Sequence, residues 1–186
     1  ESSLVWNPHD VNALVALARI YWNVHSPECI DRALHLAQTA LALCPDCAAA
    51  ATVLAEGAIL ARKLDVAETL LQQVIAIPSG VDRATAFYAL GKIRHQQARF
   101  DEAAAMYQQA MAADPGMHAA VFRCAQLALR AHEFERCLAL LTPILPVIGT
   151  DFDVLKVAGI AAFRLKRYAA AVRYLEDAAS VRCDEE

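Results

Sequence analysis

The residues best suited to chemistry are the cysteines and histidines, and Cys44 and Cys47 stand as a C-x-x-C in "ALCPDCAA", residues 42–49. Such a pair can act as a redox dithiol or supply half of a zinc site. Zinc needs four ligands, so a second C-x-x-C or a ligand-spaced Cys/His pair would have to complete it. Cys29, Cys124, Cys137 and Cys183 are solitary, and the six histidines make no ligand-spaced pair, so the spacing supports no metal site. Histidine beside acid occurs at His9–Asp10 and His132–Glu133, but neighbouring residues on a helix or at its corner point apart, and neither is a dyad. There is no G-x-S-x-G, H-E-x-x-H or phosphate-cradling glycine loop. The expectation is a non-catalytic chain without metal or cofactor.

The elements that carry these residues are helical. Hydrophobic residues make up 58% of the 186, yet no apolar run approaches the length a membrane span needs. Alanine accounts for much of the figure; it favours helix and lets helices approach closely. The formal charge of -4 comes from scattered residues of both signs, without the clustered basic footprint of a nucleic-acid binder. Six irregular cysteines do not make a disulfide scaffold, which points to a reducing, cytoplasmic setting. The opening "ESSLVW" carries no signal pattern and reads as the start of an excised or processed chain.

A period of 34 residues organises the whole. In residues 84–115 its marks are Leu90-Gly91, Phe100, Ala103, Tyr107, Ala110 and Pro115. One period on stand Cys124-Ala125, Phe134, Cys137, Leu141 and Ile144, and a second brings Ala158-Gly159, Tyr168, Ala171, Leu175 and Ala178. Upstream the phase shifts by two residues within 77–83. Five units then start near Leu14, Ala48, Ala84, His118 and Phe152, between a lead-in (1–13) and an acidic tail (182–186). Each unit reads as two helices, with small residues at its eighth and twentieth places where the helices cross. A bulky side chain there would force the axes beyond about 8–10 Å. A single hairpin has too little core, so each must bury its open face on the next.

This array resembles the tetratricopeptide repeat family, strongly over 84–181 and less strongly over 14–81. The resemblance implies an all-α, right-handed α-solenoid, a superhelix of about five helical hairpins. Its first helices would line a concave groove that binds a segment of a partner protein. Within the repeat, Pro45 takes the place of Pro115 at the end of a second helix. Cys44 and Cys47 then bracket a turn, or form a redox pair able to close into a disulfide, since a helix N-terminus favours a thiolate. Cys124 and Cys137 read as small buried hydrophobes.

Places two, five, nine and twelve of each first helix share one face. From these, with Arg123 from the sixth place, the candidate groove residues are Trp22, Thr52, Glu56, Tyr88, Lys92, His95, Phe122, Arg123, Gln126, Lys156 and Phe163. Val15, Ala18 and His25 fall on the same face, and Tyr88, Lys92 and Gln126 form its expected centre. The Lys-with-Asn pattern by which some of these proteins clamp a C-terminal carboxylate is missing. A narrower likeness joins residues 18–50, through Tyr21, Trp22, Asn23, Ser26, Pro27 and Glu28, to repeat arrays in bacterial regulatory proteins. Alternatives to a binding module are a regulatory or self-assembly domain of a larger signalling or transcription-regulating protein, and a small-ligand sensor or enzyme built across repeats.

Pro143 falls inside the second helix of unit four, where it removes a hydrogen bond and crowds the preceding turn. The helix is expected to stop early, its apolar residues 138–148 either packing on unit five or making a self-association or inter-domain contact. The last helix, with Arg173, Glu176, Asp177 and Ser180, reads as a solvated cap.

Overall fold

The computed structural model describes residues 10–24, 26–76, 80–148 and 151–183. His9, His25, Gly149, residues 77–79 and the tail residues 184–186 lie outside the described residues. Among those described, every regular element is a helix: α1 (Val11–Val24), α2 (Pro27–Leu43), α3 (Ala48–Leu60), α4 (Leu64–Ala76), α5 (Gly80–Gln96), α6 (Phe100–Ala113), α7 (His118–Arg130), α8 (Phe134–Leu141), α9 (Leu145–Ile148), α10 (Phe152–Arg164) and α11 (Tyr168–Cys183). The fold is an all-α repeat of helical hairpins, of the solenoid class. It divides into two compact units, Glu1–Ala98 and Arg99–Glu186, with the boundary in the turn between α5 and α6. No described helix is long and apolar enough to cross a membrane.

In the first unit α1 packs on α2, α2 on α3, α3 on α4 and α4 on α5, while α1, α3 and α5 also touch in sequence. In the second, α7 packs on α6 and α8, and α10 on α7, α8 and α11. The helix crossings are made by the small residues expected there. Ala33, Ala67, Ala103 and Cys137 are fully buried, as are Ala125 and Ala55 facing them from first helices. Gly57 lets α2 approach: a Cβ there would run into the Leu34 side chain. Gly159 does the same for α11, because a Cβ would lie 2.7 Å from Leu175.

The helix ends follow local chemistry. Asp10 accepts from the Asn12 and Ala13 amides (3.0 and 3.4 Å), so α1 begins at Val11, three residues ahead of the periodic mark at Leu14. Asp151 caps α10 in the same way, at 2.9 Å to the Asp153 amide. α5 likewise starts at Gly80, ahead of Ala84. The turn inside each of four hairpins places one residue in the left-handed region: Arg62, Ala98, His132 and Lys166, at φ 59 to 62°. In three of them the next amide closes back on the helix, as Lys63 does on the Ala58 carbonyl at 2.8 Å.

α8 stops at Leu141, two residues before Pro143, and the short α9 follows. Leu138, Leu141 and Ile144 are buried with Val154, Val157 and Ala158 of α10, and Leu140, Leu145 and Ile148 pack against that cluster. Internal packing thus accounts for most of this apolar run, leaving Val147 exposed. The reading of α11 as a solvated cap is corrected. Arg173, Glu176, Asp177 and Ser180 are exposed as expected, but so are Tyr168, Val172 and Leu175, which line up at helical spacing.

Candidate functional site

In the first unit the first helices α1, α3 and α5 adjoin, and their shared face holds a part-open cavity of about 450 Å³. It is lined by Arg19, Trp22 and Asn23 from α1, Thr52, Val53 and Glu56 from α3, and Thr85 from α5. The helical spacing brings these together: residues 19, 22 and 23, and residues 52, 53 and 56, each fall within one turn on one side. Thr52 is buried at the floor, its hydroxyl donating to the Ala49 carbonyl at 2.8 Å. Burial pushes the Glu56 carboxyl above its ordinary value, while Lys92 and Arg19 pull it back down. Lys92 Nζ sits 5.9 Å from the centre of the Tyr88 ring, one turn earlier on α5.

These groups can recognise a ligand but show no arrangement for bond chemistry. The cavity offers one indole surface, an amide, two hydroxyls, a guanidinium and a carboxylate on which Lys92 also acts. That mixture supplies contact area and orientation at an interface.

Of the candidate groove residues, Trp22, Thr52, Glu56, Tyr88, Lys92 and His95 lie in this unit, and the first three line the cavity. Val15 and Ala18 do not belong to the face: both are buried with Leu14, Ala37, Ala40, Ala50 and Val53 in the core of α1, α2 and α3. Arg19 and Asn23, at the sixth and tenth places, were missed. The signal available was the i, i+3 relation of Arg19 to Trp22 and its i, i+4 relation to Asn23.

The second unit presents the remaining candidates differently. Phe122 is partly buried against the α7–α8–α10 core. Arg123 donates to the Gln126 side-chain oxygen at 3.0 Å. Lys156 is exposed, 5.8 Å from the Phe152 ring centre. Phe163 is 57% exposed and meets Tyr168 edge-on at 5.9 Å.

The cysteines divide along the same line. Cys44 ends α2 and Cys47 precedes α3, both half-buried free thiols, with the Cys47 amide donating to the Cys44 carbonyl at 3.1 Å. Cys124 and Cys137 are buried, and burial pushes both thiols up to about 11. Glu133 pairs with Arg136 at 2.8 Å across the start of α8. Among the described residues, no group of three or more His, Cys, Asp or Glu could hold a metal ion.

Comparison with known proteins agrees with this architecture. Residues 94–158 match the family model described as tetratricopeptide repeat. The RNA polymerase-associated protein CTR9 of Caenorhabditis elegans is 26% identical over 162 residues, covering 86% of this chain. The chain spans only 14% of that relative's length. Among solved structures, PilF of Pseudomonas aeruginosa superposes with a TM-score of 0.79 at 17% identity, over 94% of this chain and 78% of that one. A MamA structure gives 0.70 at 15%, over 89% of this chain and 96% of that one. YrrB, described as a TPR protein with an unusual peptide-binding site, gives 0.64 at 17%, over 96% and 89%. At these identities the structural likeness establishes the fold. The chain has the fold of tetratricopeptide-repeat proteins, a series of helical hairpins, and carries a match to that family's repeat over residues 94–158.

Proposed function

We propose that this chain is a non-catalytic protein-interaction module that binds a segment of a partner protein on the first-helix face of α1, α3 and α5. The observation that carries this reading is the cavity framed by Trp22, Thr52, Glu56 and Thr85. Its half-buried carboxylate, acted on by Lys92 and Arg19, gives the face a polar group that can orient a docked segment beside the Trp22 indole. Tyr88 and Lys92 extend the surface on α5, so the docking centre sits there rather than at Gln126, whose side chain is engaged by Arg123. The peptide-binding site named for YrrB gives a precedent within this fold. The free thiols of Cys29, Cys44, Cys47, Cys124 and Cys137 support placing the module in a reducing, cytoplasmic compartment.

The short match within a much longer relative favours a second reading, a module carried inside a larger assembly protein. The two readings are compatible, since a module of that kind still needs a docking face. Peptides selected from a random display library against the intact chain provide the test. NMR shift perturbations should map to Trp22, Thr52, Glu56 and Thr85. Perturbations confined to residues beyond Arg99 would remove the proposal, and a small molecule filling the cavity with full affinity would replace the protein segment by a ligand.

A further inference from the structure

The turn that joins α2 to α3 has a close counterpart between α6 and α7. At 114–117 the Met117 amide donates to the Asp114 carbonyl at 3.1 Å, and the Asp114 side chain accepts from the Gly116 amide at 2.9 Å. At 44–47 the Cys47 amide donates to the Cys44 carbonyl at the same 3.1 Å, and Pro45 stands where Pro115 does. The helices arrive alike: the Cys44 and Asp114 amides donate to the Ala40 and Ala110 carbonyls, each at 2.9 Å. The difference lies in the side chains at the two ends of the turn. Cys44 has no carboxylate with which to brace it, and Cys47 replaces Met117.

The two thiols are placed to supply that brace covalently. A turn closed by a hydrogen bond between its first and fourth residues holds their Cα atoms within about 7 Å, and a disulfide spans about 4.4–6.8 Å. Pro45 has its φ fixed by its ring, so part of the ordering that closure needs is already in place. Both thiols are half-buried, between the exposed Pro45 and Asp46 on one side and the core of α1, α2 and α3, against which Cys47 packs, on the other. The other described cysteines are set differently. Cys124 and Cys137 are buried, their thiols pushed up to about 11, and Cys29 lies at the opposite end of α2 from Cys44.

We infer that Cys44 and Cys47 form a thiol–disulfide couple that exchanges with a small disulfide of the glutathione class. One cysteine, as thiolate, attacks a sulfur of the oxidant, giving a mixed disulfide and releasing one glutathione thiolate. The second cysteine, its proton lost to solvent, attacks the protein sulfur of that mixed disulfide. The bond to glutathione breaks, the bond between Cys44 and Cys47 forms, and the second glutathione thiolate leaves. Two electrons pass from the pair to the oxidant, and the two protons given up by the cysteines end on the two glutathiones. The new bond ties the end of α2 to the start of α3, beside the junction where Leu34 meets Gly57. In a reducing compartment such a bond is transient, which makes the turn a redox sensor rather than a permanent staple.

The intact chain, incubated in glutathione buffers of stepped oxidised-to-reduced ratio, quenched with acid and mapped by peptide mass spectrometry, tests this. Two of the six thiols should disappear together, with a loss of two hydrogens, a link between Cys44 and Cys47 and no glutathione kept on either. The oxidised chain should melt above the reduced one. Cys44→Ser and Cys47→Ser should each stop at a mixed disulfide on the remaining cysteine and lose that rise in melting. The wild-type map decides by itself if either variant fails to fold. A wild-type chain that holds glutathione on Cys44 or Cys47 without closing, leaves both thiols free at every ratio, or links either to another cysteine overturns the inference. A closed bond with no rise in melting overturns its role as a brace.

Discussion

The first-helix faces of the two compact units make an instructive pair. Both are displayed by helices of one repeat pattern, and the core behind each is built alike, with Leu71 and Leu141 fully buried at equivalent places. In the first unit the face opens into a cavity where Glu56 stays half-buried between Lys92 and Arg19. In the second, Arg123 and Gln126 satisfy each other and Phe122 folds back onto the core. The difference teaches that the repeat prescribes what is buried and leaves the displayed face free to vary.

The comparison breaks if the two cores are not equivalent. Leu71→Ala and Leu141→Ala should each cost about 2–5 kcal/mol, as loss of a fully buried leucine does. Leu175→Ala, half out of its junction in the isolated chain, should cost clearly less. Urea midpoints of the three variants check this, and a Leu175 effect matching the others would mean its face is already covered.

A smaller effect sharpens the likeness between the units. Arg62 in one and Lys166 in the other hold the left-handed turn position that glycine adopts without crowding from a Cβ. Glycine at either should raise stability by roughly 1 kcal/mol, and by similar amounts in both. Thermal melts that fall instead would show the side chains making contacts that outweigh backbone strain.

The smallest effect separates the units again, through Glu56. Burial raises its folded-state pKa above the ordinary 4.5, so the folded state holds the proton more tightly. Stability from this group is fully present below pH 4.5 and is lost as pH rises through the raised folded value. Glu56→Gln should therefore melt higher than wild type at neutral pH, the gap closing as pH falls below 4.5. A gap that widens on acidification would mean that Lys92 and Arg19 outweigh desolvation.

Much of this was legible in advance because burial in a repeat is periodic. The marks at Leu64, Phe100, Phe134 and Tyr168 are the first residues of α4, α6, α8 and α11. Pro143 announced the end of α8 through a missing amide. What escaped depended on partners the period does not encode. α1 starts early because Asp10 caps it. Val15 and Ala18 sit on the same side of the helix as Trp22 yet are covered by α2 and α3. Arg19 and Asn23 reach the cavity only because α3 lies beside α1. The acidic and basic residues of α11 suggested a cap, but whether Val172 and Leu175 are covered depends on a neighbour rather than on their own helix.

The central claim is that the partner segment docks on α1, α3 and α5. Calorimetric titration of one library-selected peptide against Trp22→Ala and against Phe163→Ala, both checked for unchanged melting, tests it most directly. The account predicts that Trp22→Ala weakens binding about tenfold or more, as loss of an aromatic anchor does, and that Phe163→Ala leaves the affinity intact. The reverse pattern, affinity lost at Phe163 and kept at Trp22, would contradict it.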